Sequence, residues 1–199
     1  MTLTFWDERF AGEGYRYGQL PNPFVADQAH LIAPGGSVLS IGDGEGRNGV
    51  WLAEQGCATT SQDGSAVAQD KAKRMAAERG VPLDTVFSDL TTWDWPKDRF
   101  DGVVCVFVHF RPERRVAVHR HMLAALKPGG LILMEVFHPD HLGLPGGPPE
   151  RAMLYDAAML REDFAAAEIL LLEEARSFVP RDSFQKGEAV LTRLVARRR

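Results

Sequence analysis

Cysteine is scarce in this 199-residue chain, which contains only Cys57 and Cys105. Both lie among apolar neighbours, and no Cys-x-x-Cys pair occurs. A disulfide framework, a zinc ribbon and a thioredoxin-type site are therefore excluded. We expect both cysteines to be small buried hydrophobic residues of a protein in a reducing cytoplasm.

Long apolar runs and a strong excess of one charge are also missing. No stretch is apolar over the roughly 20 residues that cross a bilayer, and the N-terminus lacks the charged and then apolar layout of a secretory signal. The 23 basic and 27 acidic residues leave a net charge of -4, which argues against a nucleic-acid-binding surface. We therefore expect a cytoplasmic protein whose partners include neither a membrane nor a nucleic acid.

Strand-like and helix-like segments alternate along most of the chain. The predicted strands are 38–41, 58–62, 83–87, 103–108, 131–137, 169–178 and 189–196, and the predicted helices are 24–31, 50–55, 66–79, 112–126 and 157–166. This alternation is typical of a single α/β domain with a mostly parallel sheet. Because ligands of such sheets bind beyond the carboxyl ends of the strands, the residues that follow the strands should share one edge.

A glycine-rich turn follows the first strand. The apolar segment 38–41 runs into Gly42, Gly44 and Gly46, which alternate in the turn. Glycines let a backbone turn tightly and approach a ligand closely. A helix that begins directly after the turn presents the unpaired N–H groups of its N-terminus to that ligand. The pattern predicts the opening of a nucleotide-type cofactor site.

Two acidic residues follow the next two strands. Asp63 lies about twenty residues beyond the turn, where a carboxylate can accept hydrogen bonds from both hydroxyls of a ribose. The alternative is an acidic residue at a helix start beside Ser65. Asp89 can accept from the exocyclic amine of adenine while Leu90 packs near the ring, or it can be a simple turn residue.

These segments resemble the class I S-adenosylmethionine-dependent methyltransferases over residues 36–137. The matching pieces are V-L-S-I-G-D-G-E-G at 38–46, D-G-S at 63–65, S-D-L at 88–90, R-F-D at 99–101 and L-K-P-G-G at 126–130. The aromatic start, F-W-D-E-R-F at 5–10 with Y-G at 17–18 and P-N-P-F at 21–24, is similar to the tellurite-resistance and thiopurine-type subgroup of small-molecule methyltransferases. The resemblance implies a Rossmann-like, seven-stranded, mostly parallel sheet flanked by helices, with its last strand antiparallel.

The resemblance also implies a reaction. S-adenosylmethionine would be the cofactor, S-adenosylhomocysteine the product, and a small molecule such as a thiol, selenium or tellurium species the acceptor. The single domain 1–199 would comprise an aromatic flap (1–30), a cofactor-binding core (36–137) and a segment with the substrate loop and closing strands (138–199). The family usually has Asp or Glu at the position of Ser40, and Asp43 is expected to substitute for it in part.

The positions of these motifs define the candidate site residues. The expected cofactor-binding residues are Ser40, Gly42, Asp43, Gly44, Gly46, Asn48, Asp63, Gly64, Ser65, Asp89, Leu90, Val106 and Phe107. Tyr17, His109 and His138 are the expected substrate-binding residues. The two histidines are also the candidate bases, because a histidine near a strand end can accept a proton, although each also fits a structural role. No metal site is expected, since His138 and His141 have no partner cluster.

Two alternative functions remain open. Gly44, Gly46 and Gly49 also match G-x-G-x-x-G, which is typical of NAD-dependent oxidoreductases, although no Tyr is followed four residues later by Lys. A catalytically silent protein that binds S-adenosylmethionine or S-adenosylhomocysteine is the second alternative. Methylation of adenine in nucleic acids is disfavoured, because no Asn/Asp-Pro-Pro-aromatic motif follows the strand at 103–108.

Overall fold

The computed structural model describes residues 3–179 and 187–199. Its α-helices are α1 (Leu3–Phe10), α2 (Pro23–Gln28), α3 (Arg47–Glu54), α4 (Ala66–Glu78), α5 (Pro112–Ala125) and α6 (Ala157–Asp163). Its strands are β1 (Ser37–Ile41), β2 (Ala58–Asp63), β3 (Asp84–Phe87), β4 (Phe100–Val106), β5 (Leu126–Phe137), β6 (Ala167–Val179) and β7 (Gly187–Arg198). In these two described ranges, no helix combines the length and the apolarity that a membrane crossing requires.

The strands form one seven-stranded sheet in the order β3-β2-β1-β4-β5-β7-β6. β1 pairs in parallel with both β2 and β4, and β7 lies antiparallel between β5 and β6. The predicted mostly parallel sheet with an antiparallel last strand is thereby confirmed. The chain leaves β1 toward β2 and later returns to β4 on the other side, so the topological switch point lies beyond the carboxyl ends of β1 and β4.

Apolar side chains cover both faces of the central strands, as a parallel sheet requires. On one face, buried residues of β1, β4 and β5 pack with Met122 of α5 and Leu160 of α6. On the other face, they pack with Val25 of α2 and Leu52 of α3. Each such side chain contributes about 1.5–3 kcal/mol when it is buried. The two layers of helices fix the sheet and leave its carboxyl edge for the site.

Several elements differ from the sequence prediction, and β5, for example, already begins at Leu126. Part of the expected N-terminal flap forms helix α1, in which Trp6 stacks on Phe10 at 5.9 Å between ring centroids, as residues four apart on a helix do. The strand predicted to reach Val108 ends at Val106. The cause is Phe107, whose φ of 56° is incompatible with an extended strand.

A buried ionic cluster joins α5 to α6. Nε of Arg115 and Nδ1 of His119 each lie 2.7 Å from Oδ2 of Asp163. Burial alone would raise the pKa of the Asp163 carboxyl, but hydrogen bonds from His119 and Arg115 outweigh burial and hold that pKa below its ordinary value. Two helices therefore depend on one ionised carboxylate.

Replacing Asp163 by Ala should destabilise the protein by about 3–5 kcal/mol, because Arg115 would keep a buried charge without its partner. The matched control is Glu162→Ala, one position earlier and exposed, which should change stability by about 0.5 kcal/mol or less. Urea unfolding followed by circular dichroism measures both variants. Equal unfolding midpoints would contradict the assignment of this cluster.

Candidate active site

The glycine turn lies at the carboxyl edge of the sheet, beside the switch point. Gly42 and Gly46 have φ values of 53° and 90°, a left-handed conformation that residues with side chains disfavour. A Cβ on Gly42 would lie 2.6 Å from Cγ2 of Val108, and one on Gly46 would lie 2.7 Å from Cβ of Ala72. The turn therefore packs against α4 and the chain after β4 as closely as a backbone can.

The buried carboxylate of Asp43 stabilises the turn through hydrogen bonds to its neighbours. Its carboxylate accepts hydrogen bonds from the hydroxyls of Ser40 and Ser61 at 2.7 Å each, and from the N–H of Gly49 at 3.2 Å. Burial raises the pKa of this carboxyl, and the hydrogen bonds only partly oppose that rise. Ser40 therefore lies beside a carboxylate that comes from the turn itself.

Asp63 ends β2 and contacts the turn directly. Its Oδ2 accepts from the N–H of Gly44 and its Oδ1 from the N–H of Ser65, each at 2.8 Å. Burial raises the pKa of Asp63 to about 6, although both hydrogen bonds oppose the rise. A carboxylate has about four acceptor directions, so Asp63 can support the turn and still accept from ligand hydroxyls.

Gln62 connects the turn to the end of β3, and the sequence reading missed it. Its Oε1 accepts from the N–H of Gly42 at 3.0 Å, and its Nε2 donates to the carbonyl of Ser88 at 2.7 Å. The signal was available, because Gln62 is a large polar residue one position before Asp63 in a strand. Asp89 is exposed on the same edge, and its Oδ1 accepts from the N–H and hydroxyl of Thr91 at 2.8 Å each.

The N-terminal segment, which comprises residues 3–22, lies over the turn. Oδ1 of Asp7 accepts from the hydroxyl of Ser65 at 2.6 Å and from the N–H of Val67 at 3.3 Å. Phe10 approaches the turn so closely that a Cβ on Gly44 would lie 3.3 Å from its ring. Asp7 therefore places a second carboxylate at the start of α4, next to Asp63. Sequence analysis did not single it out.

The same segment also contacts the start of α3. Nη1 of Arg47 donates to the carbonyl of Tyr17 at 3.4 Å, and the N–H of Asn22 donates to Oδ1 of Asn48 at 2.9 Å. The side chain of Asn22 continues inward, where Nδ2 donates to Oε1 of Glu135 at 2.6 Å. Tyr17 and Asn48, two predicted site residues, thus each take part in a contact between the N-terminal segment and the start of α3.

His109 lies beyond β4, and its ring is engaged on both sides. Nδ1 donates to the carbonyl of Met153 at 2.7 Å, and Nε2 accepts from the N–H of Phe137 at 3.3 Å. Burial lowers the pKa of His109 to about 4. The lowered pKa keeps the ring neutral, and both ring nitrogens bond to backbone groups of other residues. This arrangement favours the structural role for His109 over that of a base.

His138 follows β5 and is similarly occupied. Its Nδ1 accepts from the N–H of Asp140 at 3.0 Å, and its Nε2 lies 3.5 Å from Oε1 of Glu174. The loop at residues 139–149 begins directly after His138. His138 therefore acts here as a cap for the short 3-10 helix 139–141.

The structure brings most of the predicted site residues to one edge of the sheet. Ser40, Gly42, Asp43, Gly44, Gly46, Asn48, Asp63, Gly64 and Ser65 form or flank the turn, and Asp89 and Leu90 follow β3. Val106 ends the neighbouring strand β4 and Phe107 follows it, and Phe107 stacks on Phe137 with 4.6 Å between ring centroids. His138 lies on the same side, beyond β5.

This sheet order and the glycine turn at its switch point define the class I S-adenosylmethionine-dependent methyltransferase fold. Residues 38–130 match the family model described as a methyltransferase domain. The core of the chain therefore matches a methyltransferase domain, and its fold is that of S-adenosylmethionine-dependent methyltransferases.

Solved structures share the fold over most of the chain. A protein studied for the conversion of a disulfide bond into a thioacetal group during echinomycin biosynthesis is 24% identical, with a TM-score of 0.76, over 98% of this chain and 92% of that one. TehB from Haemophilus influenzae is 18% identical, with a TM-score of 0.75, over 98% and 66%. The 1,6-didemethyltoxoflavin-N1-methyltransferase of Burkholderia thailandensis is 22% identical, with a TM-score of 0.66, over 89% and 77%.

The residues at this edge fit S-adenosylmethionine. A Cβ on Gly42 or Gly46 would collide with Val108 or Ala72, so the shape of the turn beside Asp63 requires glycine at both positions. Asp63 keeps acceptor capacity for ribose hydroxyls. We expect these residues to hold the cofactor, with Asp89 beyond them on the adenine side.

The affinity for S-adenosylhomocysteine should fall as the pH drops through about 6. Only an ionised Asp63 accepts from ligand hydroxyls on both oxygens, so tight binding belongs to the pH range above its pKa. Asp63→Asn should weaken binding by about 1.5–3 kcal/mol at pH 7.5 and flatten the pH dependence. Isothermal titration calorimetry between pH 5 and 8 measures both effects.

The control for this experiment is Asp84→Asn, at the start of β3 and so at the opposite end of a strand. It should leave affinity and pH dependence unchanged. If Asp63→Asn lowers the melting temperature while affinity stays at the wild-type level across the pH range, Asp63 supports the turn only.

Introducing the acidic residue that the family usually has at position 40 should destabilise this protein. Ser40→Asp would place a second carboxylate beside the buried Asp43, with an expected loss on the order of 2 kcal/mol. Exchanging both residues, Ser40→Asp with Asp43→Ser, removes the repulsion and should recover most of that loss. Thermal unfolding of the three proteins tests this, and a single variant as stable as wild type would contradict it.

Proposed function

We propose that this enzyme methylates a small molecule that binds between the N-terminal segment and the loop at 139–149. The observation that carries the proposal is the position of the segment, which contacts the glycine turn through Phe10 and the start of α4 through Asp7. An acceptor beneath such a cover has to be small. The cover also excludes water, which favours reactions that depend on alignment.

The state of the two histidines supports an acceptor that needs no general base. His109 has both ring nitrogens bonded to the backbone, and Nδ1 of His138 accepts from Asp140. A thiol with the ordinary pKa of about 8.5 is about a few per cent thiolate at neutral pH, and this fraction can react without a general base. Thiols, or the softer selenium and tellurium species, therefore suit this site better than alcohols do.

The bond changes of the proposed reaction are simple. S-adenosylmethionine supplies an electrophilic methyl group on a positively charged sulfur. A lone pair of the acceptor thiolate forms the new carbon–sulfur bond as the bond to the sulfonium breaks, and that electron pair stays on the departing sulfur. The protein contributes alignment, through the turn and Asp63, and removal of water, through the N-terminal segment.

The structural neighbours point to acceptors worth testing. One comes from work on the conversion of a disulfide bond into a thioacetal group, which is sulfur chemistry. Another holds a bound 1,6-didemethyltoxoflavin and methylates its N1 atom. A panel of small thiols, selenite-derived species and nitrogen heterocycles covers both kinds of acceptor.

The full chain should transfer methyl groups to small thiols or selenium species faster than to nitrogen heterocycles, whose proton often needs a base. Deleting residues 1–18 should lower turnover by at least about 100-fold, because alignment and water exclusion are lost. Binding of S-adenosylhomocysteine should stay measurable, since the turn and Asp63 remain.

Transfer of labelled methyl groups and calorimetry provide the two readouts. NAD serves as the control ligand and should not bind. A truncated protein that methylates the same acceptor as fast as the full chain would show that the N-terminal segment only packs on the domain.

A further inference from the structure

We infer that Lys71 is a positioning residue that latches the N-terminal segment over the glycine turn and so retains the bound cofactor. Its ammonium group donates hydrogen bonds both to Glu45 of the turn and to the backbone of Gly12 and Gly14. The inference rests on the proposed function, because it identifies what keeps the covering segment in place. Its test uses the cofactor alone, so it can fail or succeed whatever the acceptor is.

The geometry around Lys71 uses all three ammonium protons. Nζ donates to the carbonyls of Gly12 at 2.8 Å and Gly14 at 2.7 Å, and to Oε1 of Glu45 at 2.8 Å. Oε2 of Glu45 accepts in turn from the N–H of Arg16 at 2.6 Å. One ion pair therefore binds three backbone groups of the N-terminal segment.

The two charges come from different parts of the cofactor site. Glu45 belongs to the glycine turn, with its side chain 2% exposed, and Lys71 belongs to α4, with its side chain 11% exposed. A buried ion pair contributes little net stability compared with apolar packing, because both charges lose their water. Stability alone is therefore a weak reason for this pair, whereas a fixed position for the N-terminal segment is a specific one.

The hydrogen bonds of Lys71 and Glu45 to residues 12–16, which we call the latch, can break without disturbing the core. The segment contributes backbone groups, and a Cβ on Gly12 or Gly14 would find no atom within 4 Å, so neither residue is packed into the core. Water can replace such hydrogen bonds when the segment lifts, which places this region at the low end of local stability. Lifting would also withdraw Asp7 from Ser65, next to Asp63. A reversible cover of this kind lets the cofactor enter and the product leave.

The test compares Lys71→Met with Lys73→Met in the full chain. Lys73 lies on the same helix, but its side chain is 54% exposed and pairs only with Asp70 at the surface. The readout is the rate at which bound S-adenosylhomocysteine leaves, followed by stopped-flow fluorescence after addition of excess S-adenosylmethionine. Lys71→Met should accelerate dissociation at least about tenfold, because two charge-assisted hydrogen bonds to the segment are lost. Lys73→Met should match wild type.

Trypsin cleavage within the segment, after Arg9 or Arg16, gives a second readout. It should be faster in Lys71→Met than in wild type or Lys73→Met. A Lys71→Met protein that melts at a lower temperature but keeps the wild-type dissociation and cleavage rates would overturn the inference, since Lys71 would then be structural only.

The double variant Lys71→Met with Glu45→Gln keeps the inference testable if the single variant does not fold. It leaves no uncompensated buried charge, yet the carbonyls of Gly12 and Gly14 still lose their donor. Fast dissociation and fast cleavage in the double variant support the latch. Wild-type rates in the double variant would reject it.

Discussion

The carboxylate of Asp43 is the interaction on which the site depends. It accepts hydrogen bonds from Ser40, Ser61 and Gly49, and so ties β1, β2 and the start of α3 to one turn. Burial raises its pKa, and the hydrogen bonds oppose that rise only in part. The turn owes its shape to these hydrogen bonds as much as to its glycines.

The position of this carboxylate bears on the resemblance to the class I methyltransferases. Class I methyltransferases usually have an acidic residue where this chain has Ser40. Here the carboxyl group of Asp43 comes from the turn and accepts from the Ser40 hydroxyl at 2.7 Å, so an acidic group still lies beside position 40.

A second layer of polar contacts joins the N-terminal segment to the same turn. Asp7, Lys71 and Glu45 engage hydroxyl, carbonyl and N–H groups that belong to both parts. Phe10 of the segment is buried as well, although none of the described residues 3–22 belongs to the two large apolar clusters. The segment is therefore held by polar contacts at the site together with the packing of Phe10.

The surroundings of the two candidate histidines depend on contacts that the sequence pattern indicates only in part. His109 and His138 were chosen because they follow strands and can accept protons, and both do lie beyond strand ends. Their ring nitrogens bond to the backbone of residues such as Met153, Phe137 and Asp140. Met153 and Phe137 lie 44 and 28 positions from His109 in the chain, so no local pattern indicates these two partners.

Local pattern by itself determined the strands, the order of strand and helix, the glycine turn and the acidic residues after β2 and β3. Each of these depends on the periodicity of apolar residues or on backbone conformations that a few residue types allow. Only the tertiary structure decided that Asp43 faces inward, that Gln62 and Asp7 support the site, and that Lys71 meets Glu45. These contacts join residues 18 to 58 positions apart, because packing brings together polar groups that must be paired once water is removed.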